Sequence, residues 1–237
     1  MTAEPPGGLK SAAREKVDAG FSRERARNQG IWSLLRFDRI AAGSSHRLAR
    51  VSALDAALVG ATAAGAVLAS LAAAPGWGGG AGAVLAGLML AIAVIDHRRM
   101  IIPDELNALA FIAGLIAATA GATATPAIAI VHALVRAGLM FALFLAFRAA
   151  FRRLRGVEGM GLGDVKLAAV AGVWLDWASL PLVVEIAALS ALAAALYARL
   201  RNKEFDLKGR LPFGSFFAPA IWICWLIAAW RGGWPPG

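Results

Sequence analysis

The stretch Ala86-Gly87-Leu88-Met89-Leu90-Ala91-Ile92-Ala93-Val94-Ile95-Asp96-His97-Arg98-Arg99 decides the fold. An unbroken apolar run ends in a carboxylate and then in basic side chains, the pattern of a helix that crosses a bilayer and emerges at a charged surface. The rest of the chain repeats it. Apolar residues make up 59% of 237 positions, well above the share in a soluble domain. Several runs approach the roughly 20 residues needed to span a bilayer. They predict membrane helices at about 51–74, 80–97, 104–121, 126–148, 162–177, 178–199 and 213–230. The expected fold is all-α, a polytopic membrane protein with about seven transmembrane helices.

The charges orient these helices. Lys and Arg lie in residues 10–50, at Arg98 and Arg99, at Arg148, Arg152, Arg153 and Arg155, and at Arg199, Arg201, Lys203, Lys208 and Arg210. The alternate connections, 75–79, 121–125 and the Asp176-Trp177 corner, carry none, and Arg231 alone marks the outer side. The positive-inside rule then places the N-terminus in the cytoplasm and the C-terminus outside it. The net charge of +9 is an orientation signal, aided by anionic lipid, and not a nucleic-acid footprint. Residues 1–50 read as a basic cytosolic segment, with no apolar core after Met1 to make a signal peptide. Residues 31–40 suit either a helix lying on the membrane or a basic tail that aids insertion. Residues 51–79 form a first helix and outer loop. Cys224 is the single cysteine, which excludes a disulfide within the chain and a cysteine-based zinc site. No metal or cofactor is expected.

Two carboxylates stand out. The topology brings Asp96, ending the second helix, and Asp164, beginning the fifth, to the cytoplasmic face. A carboxylate at membrane depth is tolerated mainly where it faces a cavity, a partner or a reaction. Asp104 follows Pro103 at a helix start, where a carboxylate suits the helix dipole. Asp96 has no such structural role, since a carboxylate at a helix C-terminus opposes the dipole. Asp164 follows Gly159, Gly161 and Gly163. These glycines permit close approach of an extended chain, and the plain alternative for Asp164 is a helix cap. The predicted fifth helix is about 16 residues, roughly 24 Å long. That is short of a hydrocarbon core, so its start is expected to be recessed in a water-filled hollow.

Asp96 with Ile102-Pro103-Asp104, then Gly161-Leu162-Gly163-Asp164-Val165-Lys166-Leu167, then Leu211-Pro212-Phe213-Gly214-Ser215-Phe216 resembles the type IV prepilin peptidase family. The likeness covers about residues 80–230, which would be a six-helix peptidase core. It implies that Asp96 and Asp164 are the catalytic pair of an intramembrane aspartyl peptidase. Gly161, Gly163, Lys166, Pro103, Asp104, Pro212, Phe213 and Gly214 would support the site or substrate. The family removes the basic leader of prepilins and pseudopilins at the cytoplasmic face of the bacterial inner membrane, so those are the implied partners, together with lipid. Presenilin-type proteases share Gly-x-Gly-Asp but need Pro-Ala-Leu, where this chain has Leu211-Pro212-Phe213 and Ala218-Pro219-Ala220. Many members add an N-terminal domain with paired cysteines and methylate the new N-terminus. That cysteine motif is absent here, and a peptidase without methyltransferase activity is expected.

Other polar residues receive structural expectations. Arg136 and Glu185 are read as a buried ion pair joined by His132, and Asp55 as structural. Lys166 either tunes the site or snorkels to the interface. Trp222, Trp225, Trp230 and Trp234 are read as anchoring and packing the last helix. Ser215 has no histidine to activate it, and no His-Glu-x-x-His occurs. The rival readings are an inactive peptidase-derived scaffold and, less favoured, a transporter with a broken helix at 159–164.

Overall fold

A computed structural model of the chain describes residues 53–120, 125–156, 159–201 and 212–232, with the side chains of the first helix described from Ala57 onward. The expectations for residues 1–50, for the Asp55 side chain and for Trp234 lie outside the described residues. Two compact units divide the chain after Ala56, and the helices below belong to the second except for the first turn of α1.

Every predicted helix is present. They are α1 (Ala53–Ala73), α2 (Trp77–Arg99), α3 (Asp104–Ala120), α4 (Pro126–Arg155), α5 (Leu162–Trp174), α6 (Ser179–Arg201) and α7 (Gly214–Trp230), and no strand occurs among the described residues. By length and composition α2, α4 and α6 can each cross a membrane. These three end in basic turns: His97, Arg98 and Arg99; Arg152, Arg153 and Arg155; Arg199 and Arg201. Cations there complement the negative end of the helix dipole. The protein is a polytopic helical membrane protein.

Its packing follows from its small residues. Apolar burial separates a membrane helix from lipid only weakly, so close contact depends on small side chains that let backbones or rings approach. A Cβ on Gly172 would lie 2.5 Å from the Ala137 backbone, which is how α5 nests against α4. Gly82 of α2 receives the Trp225 ring of α7, and Gly114 of α3 receives Val173 and Trp174. The Trp174 indole N–H donates to the Ala110 carbonyl at 2.9 Å, so this large ring is buried without an unpaired donor. The core centres on α5, whose residues from Val165 to Trp174 are almost all buried.

Two expectations are corrected. The fifth helix stops at Trp174 rather than at 177, and at 13 residues it is only about 20 Å long. Asp176 lies in the connection before α6, where its Oδ1 accepts the Ser179 N–H at 2.9 Å. Arg136 and Glu185 form no ion pair: Arg136 is fully buried and donates through Nε to the Gly172 carbonyl at 3.2 Å, whereas Glu185 and His132 are exposed. Similar depth did not mean facing sides. Of the tryptophans, Trp225 is buried, Trp230 is exposed, and Trp222 donates to Ser70 Oγ of α1 at 3.0 Å.

Candidate active site

Asp96 sits one turn before the end of α2. The helix closes at Met100, whose N–H bonds the Asp96 carbonyl at 2.7 Å and whose φ of 53° is left-handed. That conformation is disfavoured for a residue with a Cβ, and it turns the chain sharply toward Ile102. Ile102 is buried and acts as a wedge: a Cβ on Gly163 would lie 2.9 Å from its Cβ, and one on Gly214 2.6 Å from its Cδ1. Both glycines are therefore required by the approach of one side chain.

The Asp96 carboxylate is 5% exposed. Its Oδ2 accepts the Ser215 backbone N–H at 2.8 Å, and a Cβ on Gly214 would come within 2.9 Å of the same oxygen. Helix α7 thus begins directly against it, with the positive end of its dipole toward the carboxylate. Pro212 and Phe213 build that start: the Pro212 carbonyl accepts Ser215 Oγ–H at 2.7 Å, and the Phe213 ring stacks on Phe217.

Asp164 is at the third position of α5, 8% exposed. It is not the cap residue itself. Gly161 holds that place, and its N–H donates to Asp164 Oδ2 at 3.2 Å. The other oxygen, Oδ1, has no hydrogen-bond partner among the described residues. A buried carboxylate oxygen left unpaired is unfavourable for folding and is available to water or a peptide.

Both carboxylates line one cavity of about 680 Å³ and lie close enough to interact electrostatically. Gly161, Gly163, Pro103, Asp104 and Lys166 line it as well. Pro212, Phe213 and Gly214 do not; they act behind Asp96. At the rim Lys166 Nζ donates to Asp104 Oδ1 at 2.7 Å, with both side chains substantially exposed. Lys166 therefore neither snorkels alone nor touches the carboxylate pair. Sequence reasoning missed three residues: Ile102 as wedge, Ser215 as donor to Asp96, and Asn107, which reaches Gly163 from α3. Asn107 carried a signal, being the one amide in the apolar run of α3.

Fold and site together define an all-helical membrane protein with two buried carboxylates facing a common cavity. Residues 83–197, which hold both, match the type IV leader peptidase family. A prepilin leader peptidase/N-methyltransferase of Aeromonas hydrophila is 33% identical over 153 residues, 65% of this chain and 51% of the relative. Its namesake in Burkholderia pseudomallei is 38% identical over 134 residues, 56% and 42% of the two chains. That of Pseudomonas aeruginosa is 34% identical over 151 residues, 63% and 50%. The chain spans about half the length of the curated relatives it matches. No solved structure gives a significant match.

Proposed function

We propose that the chain is an intramembrane aspartyl endopeptidase that removes the leader peptide of prepilins or pseudopilins, with Asp96 and Asp164 as its catalytic pair. The observation that carries this reading is the shared cavity of the two carboxylates, each buried and each steadied on one oxygen by a backbone N–H. Two carboxylates held close cannot both ionise easily, so the pair holds one proton and titrates as a unit. The ionised member takes a proton from water as the water oxygen bonds to the scissile carbonyl carbon. The protonated member gives its proton to the carbonyl oxygen. The resulting tetrahedral diol collapses when the proton taken from water passes to the amide nitrogen and the C–N bond breaks. In that step the other carboxylate takes back a proton from a diol hydroxyl, which leaves an acid, an amine and the singly protonated pair. No covalent link to the enzyme forms.

The remaining assignments follow from charge and family. The names of the relatives support a prepilin-type substrate. The basic helix ends of α2, α4 and α6 support a cytoplasmic N-terminus, an outer C-terminus and seven crossings of the bacterial inner membrane. Proteolysis without methylation is the reading for these 237 residues, whose lone Cys224 is buried in α7. Co-expression with a prepilin in membranes tests the proposal. Leader removal by the wild type, lost on amidating either aspartate, is the expected result; its persistence in either variant would refute the pair.

A further inference from the structure

Two contacts run from the first turn of α3 to the first turn of α5. Asp104 pairs with Lys166 at 2.7 Å, and Asn107 Nδ2 donates to the Gly163 carbonyl at a longer 3.5 Å. Asp104 and Asn107 are three residues apart and share one helix face, as do Gly163 and Lys166. Asp164 lies between the two gripped positions. The gripping helix is in turn joined to Asp96 through residues 100–103, with Ile102 buried beneath Gly163 and Gly214. The contacts therefore link the segment that carries Asp96 to the turn that carries Asp164.

They are unequal. The ion pair is exposed at both ends, 45% and 68%, and exposed pairs hold geometry weakly. Asn107 is 4% exposed, and its Oδ1 has no hydrogen-bond partner among the described residues. A buried amide with an unpaired oxygen is less favourable than leucine in the same place. Stability does not account for an asparagine here; the placement of its donor does.

We propose that Asn107 is a positioning residue: through Gly163 it sets how closely Asp164 approaches Asp96, with the Asp104–Lys166 pair as its exposed counterpart. The proposal rests on the reading of Asp96 and Asp164 as the reacting pair. Its signature is in the pH profile. Two carboxylates that share a proton titrate in two macroscopic steps, and the steps separate further as the groups interact more strongly. Letting Asp164 drift brings the steps together and narrows the range in which the pair holds one proton. The other charged groups around the pair are Arg99, Asp104, Glu105 and Lys166, which line the cavity, and His97 beside Asp96. Asn107→Leu alters none of them.

The test is prepilin cleavage by the full chain in detergent, with kcat and KM followed against pH. The comparison is of wild type, Asn107→Leu, Asn107→Ala, the single variants Asp104→Lys and Lys166→Asp, their charge-swapped double, and the Asp96→Asn and Asp164→Asn controls. Both Asn107 variants are expected to lower kcat at least about tenfold, as small misplacements of reacting groups do. KM should stay within about twofold, and the bell should narrow. The charge-swapped double should recover the profile that each single change narrows. An Asn107→Ala profile that overlays the wild type apart from its height would overturn the proposal, even if Asn107→Leu fails to accumulate. Cleavage by either aspartate control would instead overturn the reading of the pair.

Discussion

The backbone N–H of Ser215 donates to Oδ2 of Asp96 across 2.8 Å, joining residues 119 apart in the chain. It resolves a difficulty visible in the sequence. Asp96 lies in the last turn of α2, whose dipole disfavours a negative charge there. The structure brings the opposite, favourable end of α7 against the same carboxylate.

The fit at that junction is tight enough to test with one methyl group. Gly214→Ala would place a Cβ 2.6 Å from Ile102 Cδ1 and 2.9 Å from Asp96 Oδ2. Overpacking of this kind costs about 1–3 kcal/mol, and displacement of Asp96 should lower leader cleavage about 100-fold. Ile102→Val removes the nearer atom, so the double variant should regain part of the activity. Cleavage normalised to the amount of protein in membranes measures both.

Gly163→Ala should behave differently. The clash is with Ile102 Cβ at 2.9 Å, an atom that valine retains. Loss of cleavage in Gly163→Ala should therefore survive the addition of Ile102→Val. Equal rescue of both glycine variants in the same assay would contradict the wedge geometry.

The rate should rise and then fall with pH. Catalysis by the pair needs one proton on two carboxylates, so activity is lost at low pH when both are protonated and at high pH when both are ionised. A profile of kcat/KM with only one limb across the range in which the protein stays folded would count against a shared proton.

Arg136 and Glu185 should respond independently. Glu185 is exposed, and Glu185→Gln should change stability by no more than about 0.5 kcal/mol. Arg136 is wholly buried and bonded to the Gly172 carbonyl of α5. Arg136→Glu leaves a buried anion beside a carbonyl and should abolish accumulation of folded protein, which thermal unfolding in detergent and membrane yield would report.

What the sequence disclosed follows the same physics. Helix α2 was legible because an apolar run ends at charged residues, and α5 because a glycine-rich turn meets another such run. Asp96 and Asp164 stood out because a carboxylate is conspicuous among apolar neighbours. The end of α5 was overextended because the apolar run continues through Leu175 to the Asp176-Trp177 corner, yet the helix stops at Trp174 and the Asp176 side chain accepts the first N–H of α6. The Arg136–Glu185 pair was misread because depth along a helix does not say which side faces a neighbour. Ser215 stayed hidden for a different reason. Its contribution is a backbone N–H, which has no side-chain signature and acquires a role only once α7 is packed against α2. Ile102 was hidden likewise, since only the fold brings Gly163 and Gly214 to one isoleucine.

The most direct test of the central claim is leader removal from a co-expressed prepilin by wild type, Asp96→Asn, Asp164→Asn and Asp104→Asn, compared in membranes at matched protein levels. The account predicts cleavage by the wild type, none by the first two variants, and reduced but measurable cleavage by Asp104→Asn, which loses only the exposed partner of Lys166. Continued cleavage by Asp96→Asn or Asp164→Asn would contradict it.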